Sequence, residues 1–182
     1  MAMPAIAKRW MLEEMHRLPD DGNKYELIHG ELYVTPPPFP EHDTVIARFT
    51  ALLVPYVLRH GLGLVYHPRS VLRWRGSEVE PDLTVRDAPA EIFEKDEDWE
   101  RMAVPRLVVE VSSRSTRRRD VGPKRDFYLE VGVPEYWFLD RQNRSMRVVR
   151  PGVDDLVIAD RYRWQSAVEP LIVEIEPLLG AR

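Results

Sequence analysis

An α/β fold built on a mixed β-sheet is what this sequence predicts, and three features carry the prediction. Leu107-Val108-Val109-Glu110-Val111 is a nearly unbroken β-branched run, as expected of a strand buried on both faces at the centre of a sheet. Asp120 to Val131 follows with helical character, Pro123 tolerable in its first turn and Gly132 closing it, and Glu135–Asp140 returns to a strand pattern. Ahead of this strand–helix–strand unit stand a short helix, a β-hairpin and one long amphipathic helix.

A length of 182 residues suits one domain over 1–182 with a core large enough to need no staple. Hydrophobic residues at 44% and charged residues at 31% exclude wholesale disorder. Cysteine is absent, which excludes disulfides, Cys-ligated zinc, iron–sulfur clusters and a thiol nucleophile, and fits a reducing compartment such as the cytoplasm. The first fifteen residues interleave charged and apolar side chains, unlike a signal peptide, and no apolar run suggests a membrane span. With 26 Lys+Arg against 30 Asp+Glu the net charge is −4, so the whole molecule is no polybasic nucleic-acid binder. Charge is nonetheless uneven: residues 91–100 carry six acids and one base, and 114–125 carry six bases and one acid. A solvated loop or helix face would have either composition.

Met11 to Leu18 predicts a short helix ended by Pro19 and the Asp20-Asp21-Gly22-Asn23 turn. Tyr25 to Val34 predicts a hairpin around a two-residue His29-Gly30 loop, the glycine accepting positive φ. That register puts Tyr25, Leu27, Leu32 and Val34 on one face and Glu26, Ile28, Glu31 and Tyr33 on the other. Pro36-Pro37-Pro38-Phe39-Pro40 is a stiff connector. From Pro40 to His60 the residues Val45, Ile46, Phe49, Leu52, Leu53, Tyr56 and Val57 recur at helical spacing. Gly61 should stop this helix, and Pro55 should kink it near its end. Strands are expected at 63–67, 70–75, Asp82–Val85, Ser145–Arg150, Leu156–Ala159 and Leu171–Ile175.

Glu110 is the anomaly, because an ionised carboxylate inside an apolar strand is costly unless paired or bound to a cation. An ion pair with one of the arginines that follow would satisfy it. Asp82, at the head of another strand, is by itself an ordinary turn or cap residue. Brought together from adjacent strand ends, the two carboxylates repel, and a hard divalent cation between them resolves the repulsion. Ser112 points to the same strand face as Glu110, and Lys124 shares a helix face with Phe127, Tyr128 and Val131 inside the basic segment. Two acids, a lysine and clustered arginines amount to a site for metal-assisted phosphodiester hydrolysis. Glu31, Glu26, His42 and Tyr128 are further candidates; their ordinary alternatives are exposed strand residues, a helix-end histidine and a core tyrosine. No P-loop, GxSxG, HExxH or complete GxGxxG motif is present.

Several segments stand in an order shared with one known family: Tyr25-Glu26-Leu27-Ile28-His29-Gly30-Glu31-Leu32, Pro36-Pro37 with His42, and Glu80-Pro81-Asp82-Leu83. Leu107–Ser112, Arg118-Arg119-Asp120 with Lys124 and Tyr128, and Gly132-Val133-Pro134-Glu135-Tyr136-Trp137 continue it. Over roughly residues 10 to 150 the chain resembles the Uma2 family, a branch of the PD-(D/E)XK nuclease superfamily. The resemblance implies a restriction-endonuclease-like mixed sheet flanked by helices, and DNA as substrate. It implies Asp82 and Glu110 as metal-binding acids, the Val111 carbonyl as a further ligand, and Mg²⁺ or Mn²⁺ as the metal. The superfamily pattern has lysine two residues after the second acid; Ser112 stands there instead, and the resemblance implies that the lysine has moved to Lys124.

The expected function is a Mg²⁺- or Mn²⁺-dependent deoxyribonuclease. Asp82 and Glu110 would hold the metal, Lys124 would orient or activate the attacking water, and Glu31 would contribute to the site. Arg117, Arg118 and Arg119 would neutralise the DNA backbone, and cutting both strands of a duplex would call for a homodimer. The alternative, favoured by the serine at 112, is a non-catalytic nucleic-acid- or protein-binding module that keeps the fold. On the nuclease reading, Lys124→Ala should cost activity yet spare the fold, and neutralising Asp82 or Glu110 should leave metal-free stability unchanged or raised.

Overall fold

The computed structural model describes residues 8–68, 70–88, 99, 102–113 and 116–180. The acidic run at 91–100, Trp99 apart, lies outside these residues, as do Arg114 and Ser115 of the basic segment. The chain runs α1 (Leu12–Met15), β1 (Lys24–Ile28), β2 (Glu31–Thr35), α2 (Pro40–Arg59), β3 (Leu64–Tyr66), β4 (Leu72–Trp74), β5 (Ser77–Val79), β6 (Leu83–Arg86) and β7 (Leu107–Val111). It continues through α3 (Arg117–Arg119), a π-helical stretch (Asp120–Lys124), α4 (Arg125–Val131), β8 (Tyr136–Asp140), β9 (Ser145–Val149), β10 (Leu156–Ile158), β11 (Arg161–Trp164), β12 (Leu171–Glu174) and α5 (Ile175–Leu179).

The central six-stranded sheet has the order β10-β9-β8-β7-β6-β3. It is mixed, as expected: β7 and β8 are parallel, and the other neighbours are antiparallel. A second antiparallel sheet, β2-β1-β5-β4, packs nearby, and β11 with β12 forms a ribbon. All of β7 is buried, and its two faces meet different partners. Leu107, Val109 and Val111 join Val45, Phe49 and Leu53 of α2 in one core. Val108 joins Phe127, Tyr128 and Val131 of α4, with Ile28 and Val79 of the second sheet, in the other. The two-residue period therefore turns Glu110 toward α4 and the hairpin, away from α2.

The expected His29-Gly30 loop is present, with φ of 51° and 82°, the pair of positive values a type I′ turn requires. Arg75 and Gly76, with φ of 47° and 75°, form a second such turn between β4 and β5. It cuts the strand expected at 70–75 short and adds β5, which pairs Glu78 with Leu27 of β1. The Arg75-Gly76 dipeptide, analogous to His29-Gly30, was the signal in the sequence.

Other boundaries differ from expectation by a residue or more, and strand β11 and helix α5 are not among the elements expected. Helix α1 is one turn long, with Met15 its buried residue, since so little apolar surface cannot hold a longer one. Strand β6 begins at Leu83, which leaves Asp82 in the connection before it. The helix expected from Asp120 begins at Arg117 and passes through a π-helical stretch. Pro123 explains that stretch: it has no N–H to donate and its ring would strike the carbonyl four residues back, so the wider turn accommodates it. No helix of the described residues is long and apolar enough to cross a membrane.

Gly63 leads into β3 with φ of 108°, and a Cβ placed there would stand 1.9 Å from the Arg86 carbonyl oxygen. Gly61, with φ of 61°, has nothing within 4 Å of such a Cβ. Urea denaturation should therefore separate the two: Gly61→Ala costs about 1–2 kcal/mol of backbone strain, whereas Gly63→Ala costs clearly more, because β3 must leave β6 to admit the methyl group.

Candidate active site

Strand β1, the connection before β6, the end of β7 and the π-helical stretch bring their charged side chains into one buried cluster. At its centre is Lys124, 0% exposed. Its Nζ lies 2.6 Å from Glu110 Oε1 and 2.7 Å from Glu26 Oε1. Tyr128, one helical turn on, donates its hydroxyl to the same Glu110 oxygen at 2.5 Å. Arg119 stands 3.2 Å from Glu26 Oε2 and donates to Thr35 Oγ1 at 2.7 Å. Glu26 also accepts the Glu80 N–H at 2.9 Å.

Asp82 closes the cluster toward the outside. Its Oδ2 accepts the Val111 N–H at 2.8 Å and lies 3.1 Å from His42 Nε2. Its Oδ1 is 3.7 Å from Lys24 Nζ. Four carboxylates (Glu26, Asp82, Glu110, Asp120) face three permanent cations (Lys24, Lys124, Arg119) across these contacts. The balance is acidic while His42 is neutral.

That imbalance drives the carboxyl pKa values apart. Burial, with the Asp82 and Asp120 charges adding to it, pushes Glu110 up to about 7 in spite of Lys124. Burial alone would also raise Asp82, but Lys24, His42 and Lys124 outweigh it and hold that carboxyl below the usual range. Glu26 is brought down to about 2, Lys124, Lys24 and Arg119 together outweighing its burial. Burial and the Glu110 and Glu26 charges push the Tyr128 phenol well up, so it remains a donor. Burial would lower His42, but its hydrogen bond to Asp82 prevails and raises it.

A cavity of about 330 Å³ opens beside the cluster. Lys24, Asp82, Glu110 and Val111 line it, with His42 and Arg119, and Pro36–Pro38, Phe39 and Pro68 form an apolar wall. Lys124 does not line it.

The sequence candidates thus divide. Asp82, Glu110, Val111, Lys124, His42 and Tyr128 come together. Glu31 is exposed at the turn end of the hairpin, paired with Ile28 and away from the cavity. It shares a face with Glu26, but Glu26 is two positions deeper and wholly buried. Of the three consecutive arginines, Arg117 is tied to Asp140 at 2.7 Å, Arg119 is buried against Glu26, and Arg118 is exposed. Ser112 is buried, and its Oγ accepts the Arg141 N–H at 2.9 Å. Lys24 escaped the sequence reading because it belongs to no motif. The signal for it was strand parity, which aligns Lys24 with Glu26, a candidate already named.

Two expectations about stability follow from these contacts and replace those read from the sequence. Lys124→Met should cost about 3–5 kcal/mol, because Glu26 and Glu110 lose their shared cation in a dry site. Chemical denaturation measures this, and an unchanged midpoint would mean that the two acids find other partners. The pH profile carries a sign. Glu110 titrates near 4.3 when unfolded and about 7 when folded, so the folded state keeps a proton that the unfolded state releases between those values. Stability therefore falls as pH rises through that window, with Asp120 and Glu135, also raised chiefly by burial, acting in the same direction. Glu26 and Asp82, held low, act oppositely: their contribution is lost as pH falls below about 4. Denaturation midpoints should thus decline from pH 5 to 7, less so in Glu110→Gln.

Comparison with known proteins agrees with this architecture. No curated protein matches the chain. Among solved structures it is similar to a putative nuclease belonging to DUF820 from Anabaena variabilis ATCC 29413. The identity is 18% and the TM-score 0.72, covering 93% of this chain and 97% of that one. At that identity the likeness establishes the fold, which is restriction-endonuclease-like. The family model for Uma2, described as putative restriction endonuclease, matches residues 12–180. Spanning nearly all of the described fold, that match makes this chain a member of the Uma2 family.

Proposed function

We propose that this chain, one domain over residues 1–182, is a metal-dependent deoxyribonuclease that hydrolyses phosphodiester bonds at the cavity. The observation that carries the reading is the placing of Asp82, from the connection before β6, and Glu110, from β7, on the wall of one cavity in a cluster short of positive charge. Among the described residues no group of three or more His, Asp or Glu side chains forms a metal cage. Mg²⁺ does not need one: it binds through one or two carboxylates and keeps several waters. The hard oxygen donors here fit it, and Mn²⁺ as well. Bound there, the ion would polarise the phosphate and make its water more acidic.

The chain's own residues do the positioning. His42 and the Val111 N–H fix Asp82 through Oδ2. Lys124 and Tyr128 hold Glu110 by one oxygen, Oε1. Lys124, wholly buried, acts on the water through Glu110, and a contribution from the Val111 carbonyl would come from the same wall. Glu26 takes the place expected of Glu31, compensating Lys124 and Arg119. Arg118 is exposed, and the Arg117 side chain, though tied to Asp140, is 38% exposed, so both can meet a DNA phosphate.

A non-catalytic binding role is the second reading, favoured by Ser112 being committed to the Arg141 backbone. Thermal shift with Mg²⁺ and Mn²⁺, followed by plasmid cleavage, separates the two, since an ion that binds only the folded state must stabilise it. The parent should be stabilised by Mn²⁺ and should cut DNA. Asp82→Asn and Glu110→Gln should both lose the Mn²⁺ response. Their metal-free stabilities should differ: Asp82→Asn should lose stability, because its charge is held by Lys24 and His42. Glu110→Gln should change little, because its charge is already disfavoured. Retention of the Mn²⁺ shift in both variants would overturn the metal site.

A further inference from the structure

We infer that Lys24 is the cation that contacts the scissile phosphate in this cavity, an inference that rests on the nuclease reading above. Hydrolysis joins a water oxygen to phosphorus and breaks a phosphorus–oxygen ester bond; one water proton stays on the new phosphate oxygen and the other ends on the departing DNA hydroxyl. Negative charge rises on the non-bridging oxygens during the displacement, so a donor already aimed at them lowers the barrier. Such a donor must reach the cavity, and Lys124 does not: it is wholly buried, absent from the lining, and occupied by Glu26 and Glu110.

Lys24 meets each requirement. It lines the cavity, and its side chain is 22% exposed, on the rim rather than in the core. The Glu80 carbonyl takes one ammonium proton at 3.0 Å. Asp82 Oδ1 at 3.7 Å and Glu26 Oε1 at 4.0 Å attract the ammonium but stand beyond hydrogen-bond length. Two N–H groups thus remain to be given to a phosphate, beside one of the two carboxylates proposed to hold the metal. Strand geometry fixes the arrangement: Lys24 and Glu26 project from the same face of β1, the lysine at the strand end by the cavity and the glutamate inside. Lys24 keeps its proton throughout and acts as a fixed charge. Ser112 does not supply one, its hydroxyl being turned to Arg141.

The absence of cysteine makes a clean test possible, because Lys24→Cys creates a unique thiol that aminoethylation converts back to a lysine-like ammonium. Single-turnover plasmid cleavage with Mn²⁺ should fall by about 10²–10³-fold in Lys24→Met and Lys24→Cys, the loss typical of removing one transition-state donor. Stabilisation by Mn²⁺ alone should persist or grow, since a cation beside Asp82 has been removed. Aminoethylation of Lys24→Cys should restore at least tenfold of the rate. A merely structural lysine would show the reverse pattern: loss of the Mn²⁺ response together with activity, and no gain on aminoethylation. Cleavage by Lys24→Met within twofold of the parent overturns this inference alone. Should Lys24→Met fail to fold, the aminoethylated and unmodified Lys24→Cys proteins decide it, equal rates overturning it. A parent that leaves plasmid intact with both Mg²⁺ and Mn²⁺ overturns the nuclease reading and this inference together.

Discussion

A single ammonium group, shared between two carboxylates in a dry interior, is the constraint on which the rest of this structure depends. Lys124 binds Glu26 of the hairpin and Glu110 of the central sheet through contacts of 2.7 and 2.6 Å. Removing a lysine from water is expensive, and two short ion pairs offset that cost. The same contacts join three elements distant in sequence: β1 of the second sheet, β7 of the first, and the π-helical stretch that carries the lysine. Folding and assembly of the cluster are therefore one event. A lysine that looked in the sequence like a catalytic group free to be replaced is also a keystone of packing.

Local backbone chemistry puts that lysine where it is. Pro123 precedes it, and the wide turn that accommodates the proline ends at Lys124. Regular helix resumes at Arg125, which sets Lys124 and Tyr128 one turn apart, so both reach Glu110 Oε1. On the sheet side, the alternation of β7 turns Val109 and Val111 into the α2 core and leaves Glu110 facing the helix. An acid in the middle of an apolar strand is thus reconciled with its surroundings through one face only.

Electrostatically the cluster is arranged as a gradient. The innermost charges, Glu26 and Lys124, neutralise one another in the core, whereas Asp82 and Lys24 stand at the cavity, where a substrate or ion can reach them. Glu110 lies between the two zones, bonded inward to Lys124 and lining the cavity outward. Its raised pKa expresses that position: it carries more negative neighbours than the buried cations can compensate, a state that an added cation would relieve.

The sequence by itself determined most of the elements and singled out the two acids that the structure places on one cavity wall. Periodicity and turn chemistry are local, so the long helix at Pro40–Arg59, the His29-Gly30 turn and the central strand at 107–111 could all be read directly. Glu110 announced itself because a charge in a β-branched run violates a local rule. Glu26 and Lys24 violate none, since acid and base alternate with apolar residues there as on any half-exposed strand. Only the tertiary structure decided that the hairpin's polar face turns inward at Glu26, where Lys124 and Arg119 meet it, and outward at Glu31, which lies exposed beside the turn. It likewise decided that Arg117 and Arg119 are paired with the protein's own carboxylates, Arg119 in the interior and Arg117 near the surface. Composition shows a basic segment, but whether its members meet solvent or a carboxylate depends on strands dozens of residues away, and Glu26 and Asp140 lie on two of them.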